Sequence, residues 1–80
     1  MSKYLEDDFE HALENLKYYR SKIQNILFDV EISNLSNFEV LNIILDKINK
    51  LIEGIKEFKD IAMEEYNDLH NQVNNLLNKI

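Results

Sequence analysis

The sequence contains no cysteine, no proline and no tryptophan, and only one glycine, Gly54. Without cysteine there are no disulfide staples, thiolate metal sites or thiol nucleophiles. Without proline, and with a single glycine in 80 residues, the turns that a β-rich fold of this length would need have few residues to make them. Positive charge is also scarce: 9 Lys and Arg stand against 15 Asp and Glu, for a net charge of −6. That balance argues against a duplex DNA binder, whose affinity rests on neutralising phosphates. No apolar run approaches membrane-spanning length. The N-terminal residues Met1 to Asp8 turn acidic at once and lack the apolar centre of a signal peptide, so a cytoplasmic protein is expected.

What remains is 45 % hydrophobic and 30 % charged, a composition for an all-α domain spanning 1–80. Ser2 is a candidate N-cap, with Glu6, Asp7, Asp8 and Glu10 in the first turns where the helix dipole favours negative charge. Leu5, Phe9, Ala12, Leu16, Tyr19, Ile23, Ile26 and Val30 then alternate in steps of four and three, the seam of a helix over about 3–31. Leu13 and Leu27 widen it. Ser33 and Asn34 mark a short turn. Ser36 and Glu39 form a capping box, with Leu35 and Val40 placed as a hydrophobic staple, and start a second helix over about 37–79. Its seam reads Leu41, Ile44, Ile48, Leu51, Ile55, Phe58, Ala62, Tyr66, Leu69, Val73, Leu76 and Ile80, with a stutter between Ala62 and Tyr66. Leu45 and Ile52 widen its first half, while Asn67, Asn71, Asn74, Asn75 and Asn78 weaken the second, which is expected to fray unless packed.

The expected fold is an antiparallel helical hairpin. A break is conceivable near Lys59-Asp60, giving a three-helix bundle, but no proline, glycine pair or Ser/Asn cluster marks a turn there. A continuous second helix of about 64 Å would outrun a first helix of about 43 Å. Tyr66, Leu69, Val73, Leu76 and Leu77 would then be exposed, and a second chain would cover them in a dimeric four-helix bundle or a complex with another protein.

Candidate chemistry is sparse. Asp8 and His11, and Asn67 and His70, have the i, i+3 spacing of half a di-metal site, but Asn67 stands where an acid is needed; both histidines are expected on the surface. Glu64, Glu65 and Asp68 contain the E-x-x-D element of all-α metal-dependent hydrolases, without the second acidic pair at matching spacing; a solvated helix face explains them. Ser21 has no sequence reason to meet a histidine, and no glycine-rich phosphate loop exists. Lys17-Tyr18-Tyr19-Arg20-Ser21-Lys22 is the one basic, aromatic-rich segment. Tyr19 falls on the seam, while Tyr18, Arg20 and Lys22 flank it with the residue types of interface hot spots.

The segment Leu35-Ser36-Asn37-Phe38-Glu39-Val40-Leu41, followed by Leu45-Asp46-Lys47-Ile48, resembles the turn of the small helical-hairpin phosphatases of the Spo-zero-E type. Those read L-S-x-x-E-V-L and then S-Q-E-L-D. Here Asn42-Ile43-Ile44 precede Leu45-Asp46, the Ser-Gln pair is missing and the register is one residue short. The shared part is mostly the capping box, so the activity, which would rest on Asp46, is not carried over. In outline the hairpin is also similar to small type VII secretion partners, whose Trp-x-Gly turn is absent.

The expected function is a non-enzymatic protein–protein interaction module, such as an inhibitor, adaptor, immunity or assembly factor. It would need no cofactor or metal and would act through the unmatched seam of helix 2 (Tyr66, Leu69, Val73, Leu76, Leu77), with Tyr18, Arg20 and Lys22 as a second contact. Its partner would be a second copy or another protein, and neither nucleic acid nor membrane. The alternatives are a metal-dependent hydrolase or the regulatory phosphatase. The abundance of Asn, Lys and Ile fits an AT-rich bacterial or phage genome.

Overall fold

The computed structural model describes residues 4–28 and 35–79, with side chains for 4–28 and 38–78. Among these residues the chain is all-helical: α1 spans Glu6–Phe28 and α2 spans Leu35–Lys79. The expected N-cap Ser2, the Ser33-Asn34 turn, the side chains of Leu35 and Ser36, and the seam residues Val30 and Ile80 lie outside the described residues.

α1 starts at Glu6 rather than near residue 3, because Leu5 takes the N-cap position. The Asp8 and Phe9 amides donate to the Leu5 carbonyl, and the Leu5 amide donates back to the Asp8 carboxylate at 2.8 Å. That is the reciprocal half of a capping box, supplied by an aspartate three residues into the helix. Leu5, placed on the seam by the sequence, is consequently outside the helix and 73 % exposed. α2 starts at Leu35, two residues earlier than expected, so Ser36 falls inside its first turn.

The helices pack against each other as a hairpin, but the second one is not straight. Lys59 has φ 35° and ψ −103°, outside the helical region, and divides α2 into a first arm, 35–58, and a second arm, 60–79. A straight helix of 45 residues would be about 68 Å long. The longest dimension of the whole molecule is 47 Å, so the chain folds back at Lys59. Contacts give the directions. Lys56 reaches Glu10, and Leu27 and Phe28 lie beside Phe38 and Leu45, so the first arm runs antiparallel to α1. Asn15 bonds Tyr66, and Tyr19 bonds His70, so the second arm runs parallel to α1.

Three helical arms thus surround one core. Phe9, Ala12, Leu16, Tyr19 and Ile23 come from α1, and Leu41, Ile44, Ile48, Leu51 and Ile55 from the first arm. Ala62, Met63, Tyr66, Leu69 and Val73 complete it from the second. Leu13, Ile26, Leu27, Leu45, Ile52, Leu76 and Leu77 pack at its margin. The expectation of an exposed seam at Tyr66, Leu69 and Val73 is therefore corrected: these side chains are buried within a single chain, and Leu76 and Leu77 are partly buried. The reason is the bend, which lays the second arm along α1. It also moves Phe58, on the seam by sequence, to 62 % exposure, and brings Met63 into the core. Among the described residues no helix is long and apolar enough to cross a membrane.

Candidate functional site

The polar and aromatic side chains of interest gather where α1 meets the second arm. Tyr19 on α1 and Tyr66 on the second arm are both buried, because each sits on the apolar seam of its helix. A buried tyrosine has to satisfy its hydroxyl. Tyr66 does so by accepting a hydrogen bond from Asn15 Nδ2 at 2.9 Å. The Tyr19 hydroxyl meets His70 Nδ1. On the other side of that ring, Asn74 Nδ2, one helical turn on, lies 3.2 Å from His70 Nε2. With the amide donating to Nε2, the ring proton sits on Nδ1 and is donated to the Tyr19 oxygen. The ring centroid of His70 is 5.8 Å from that of Tyr19 and 5.7 Å from that of Tyr66. His70 is therefore a half-buried link between two helices, a correction to its expected surface position, whereas His11 is exposed.

Burial pushes the Tyr19 hydroxyl above its ordinary pKa, and the neighbouring Tyr66 and Tyr18 hydroxyls add to that while Asn74 opposes it. Tyr19 thus stays a neutral hydroxyl to higher pH than a free tyrosine. Its hydroxyl ties α1 to the second arm through His70.

Tyr19 leads outward to the basic segment. Its ring stacks on that of Tyr18, with centroids 5.9 Å apart and planes inclined by 26°. Tyr18 is half exposed, and Lys22 Nζ lies 5.5 Å from the centre of its ring, a cation–π contact between side chains one helical turn apart. Tyr18, Ser21, Lys22, Asn25 and Ile26 of α1 and Leu77 of the second arm line one open groove. Of the residues singled out by sequence, the structure brings Tyr18, Lys22 and Leu77 together on this groove. Arg20 is half-buried on the same helix, Leu76 packs at the core margin, and Tyr66, Leu69 and Val73 lie beneath the surface. The Tyr19–His70–Asn74 link was not anticipated. Its signal was present: Tyr19 and Tyr66 share seam positions, and His70 and Asn74 have i, i+4 spacing.

The acidic candidates lie elsewhere. Glu65 and Asp68 line a shallow groove between the two arms of α2, together with Lys47, Lys50, Leu51, Leu69 and Gln72. Glu64 is exposed on the same arm. The groups across from Glu65 and Asp68 are lysines, where a metal-dependent hydrolase would need further carboxylates. Among the described residues no three His, Asp or Glu side chains come together as a metal-holding group. Asp46 is exposed and pairs with Lys50 at 3.1 Å. Comparison with known proteins finds no matching family model, no matching curated protein and no matching solved structure.

Proposed function

We propose that the protein is a non-enzymatic interaction module that binds a protein partner along the groove between α1 and the second arm. The observation that carries this reading is the Tyr18–Lys22 pair. A half-exposed tyrosine under a lysine ammonium, over a floor containing Ile26 and Leu77, forms a basic, aromatic face on a chain of net charge −6. Such a face suits an amphipathic segment that offers apolar side chains to the floor and carboxylates to Lys22. Inhibitor, adaptor, immunity and assembly roles would all act through a face of this kind.

Self-association belongs to the same proposal. Leu5, Phe58 and Ile61 are 73 %, 62 % and 68 % exposed. They stand at the end of the molecule where α1 begins and α2 bends, and a second copy would cover them.

A photo-crosslinking amino acid at Tyr18 tests the groove in the native host. The expected result is a discrete protein adduct that disappears when Lys22→Glu is combined with it. The same probe at Asp46, exposed on the first arm and away from the bend, should give none. An adduct pattern indifferent to Lys22→Glu, or the same at both positions, would count against the groove.

A further inference from the structure

Asp60 is a residue type that starts a helix well, but Lys59 itself is poorly suited to the backbone of the bend. Its φ of 35° and ψ of −103° lie close to the first central position of a type II′ turn, which glycine ordinarily occupies. A lysine there carries backbone strain. The residues around it, from Ile55 to Tyr66, include no Gly, Pro, Ser or Asn and are rich in the good helix formers Lys, Glu, Ala and Met. The apolar seam also continues through the bend, with Ile55, Phe58 and Ala62 at steps of three and four. Phe58 is thus in register for a helix interface and yet is mostly exposed, alongside Ile61 and Leu5. Local sequence favours a straight α2, and the core of the single chain requires a bent one. Straightening alone would strip the second arm, with Ala62, Met63, Tyr66, Leu69 and Val73, from α1.

We infer that a second copy of this chain resolves the conflict by exchanging arms. The inference rests on the self-association proposed above and specifies its form. In the exchanged dimer Lys59 is helical and each α2 is continuous. The two α2 helices lie antiparallel with their Lys59 residues near the twofold axis. Each second arm packs on α1 of the other chain, so the Asn15–Tyr66 and Tyr19–His70 contacts form between chains instead of within one. The core contacts of the monomer are retained, the strained residue relaxes, and Phe58 and Ile61 of the two chains meet at the centre. What opposes exchange is the entropy of association, so protein concentration sets the balance.

The natural absence of cysteine makes the test direct. Ser21 and Leu77 line the same groove, one on α1 and one on the second arm. Equal amounts of the single variants Ser21→Cys and Leu77→Cys are unfolded together, refolded at high concentration and treated with a short bis-maleimide. The expected product is a covalent dimer joining one chain of each kind, in a sample that light scattering shows to be dimeric. Lys59→Gly, which suits the bent backbone and disfavours the straight one, should raise the dissociation constant about tenfold or more and abolish that product. A dimer that gives no mixed product, while the double variant crosslinks within its own chain, would overturn arm exchange and leave self-association standing. A monomer at every concentration would overturn both.

Discussion

Lys59 is the residue at which local preference and tertiary packing disagree, and substitutions there separate the two. In dilute solution, where the single chain dominates, Lys59→Gly removes strain of about 1–3 kcal/mol and adds about 1 kcal/mol of backbone entropy cost. The expected outcome is unchanged or increased stability, by up to about 2 kcal/mol, in urea unfolding. Lys59→Val, which tolerates positive φ worst, should lose about 1 kcal/mol or more. Gly54 has the opposite character, because it sits inside a helical arm where glycine costs about 1 kcal/mol relative to alanine. A Cβ there would come 3.0 Å from Phe58 Cδ2. The Phe58 ring is 62 % exposed and free to swing aside, so Gly54→Ala should stabilise by a few tenths to about 1 kcal/mol. Tyr19 makes a pH prediction. Its pKa is raised above 10.0 by burial first and by Tyr66 second. A group with a raised folded pKa contributes stability that is intact below its unfolded value and is lost as pH climbs through the folded one. Stability should therefore fall above pH 10, and Tyr19→Phe should lose that component of the fall. The same substitution should cost about 1 kcal/mol near neutrality, because the His70 Nδ1 group loses its partner.

At the scale of the helix, the second arm decides between the fold expected from sequence and the one observed. If it packs on α1, Leu69→Ala, at a side chain only 3 % exposed, should cost about 2–5 kcal/mol in equilibrium unfolding. On a free arm the same change would cost a few tenths. Backbone amides around Tyr66 to Val73 should exchange with solvent as slowly as those around Leu16, and not fray as the run of asparagines suggests. Seam positions in α1 and in the first arm were legible because period and burial coincide there: Phe9, Ala12, Leu16, Tyr19 and Ile23, and Leu41 to Ile55, are all core. The bend was legible only as the alternative, a break near Lys59-Asp60, because turns are read from Gly, Pro, Ser and Asn, and none of these stands at residues 55–66. A second trace was the stutter between Ala62 and Tyr66, just after the bend, where the core face widens to include Met63. The pairing of Tyr19 with His70 was illegible for the same reason. It needs the second arm to run parallel to α1, which only a fold-back provides. Tyr18 and Lys22, by contrast, were legible as flanking residues, since their neighbour Tyr19 fixes their side of the helix.

For the whole molecule, shape and charge follow from the three arms. The bundle measures 47 × 17 × 16 Å, with a Cα radius of gyration of 13.4 Å, above the roughly 12 Å of a compact globule of this length. Arm exchange would stretch α2 to about 68 Å and set two bundles end to end, keeping the core of each and burying Phe58 and Ile61 at the junction as well. Scattering therefore separates the states where spectroscopy of the helices would not. At low concentration the longest dimension should stay near the 47 Å of the single chain plus its hydration layer. As concentration rises it should approach about twice that length, with helix content slightly increased because Lys59 joins the helix. Lys59→Gly should hold the short form over the same range. The charge distribution sharpens the expectation. The hinge region carries Lys56, Glu57, Lys59 and Asp60, with both signs present, so two antiparallel copies can set unlike charges against one another there. Salt screens that attraction, so growth of the particle should nevertheless persist at moderate salt, because burial of Phe58 and Ile61 at the junction, and not attraction between charges, drives the exchange.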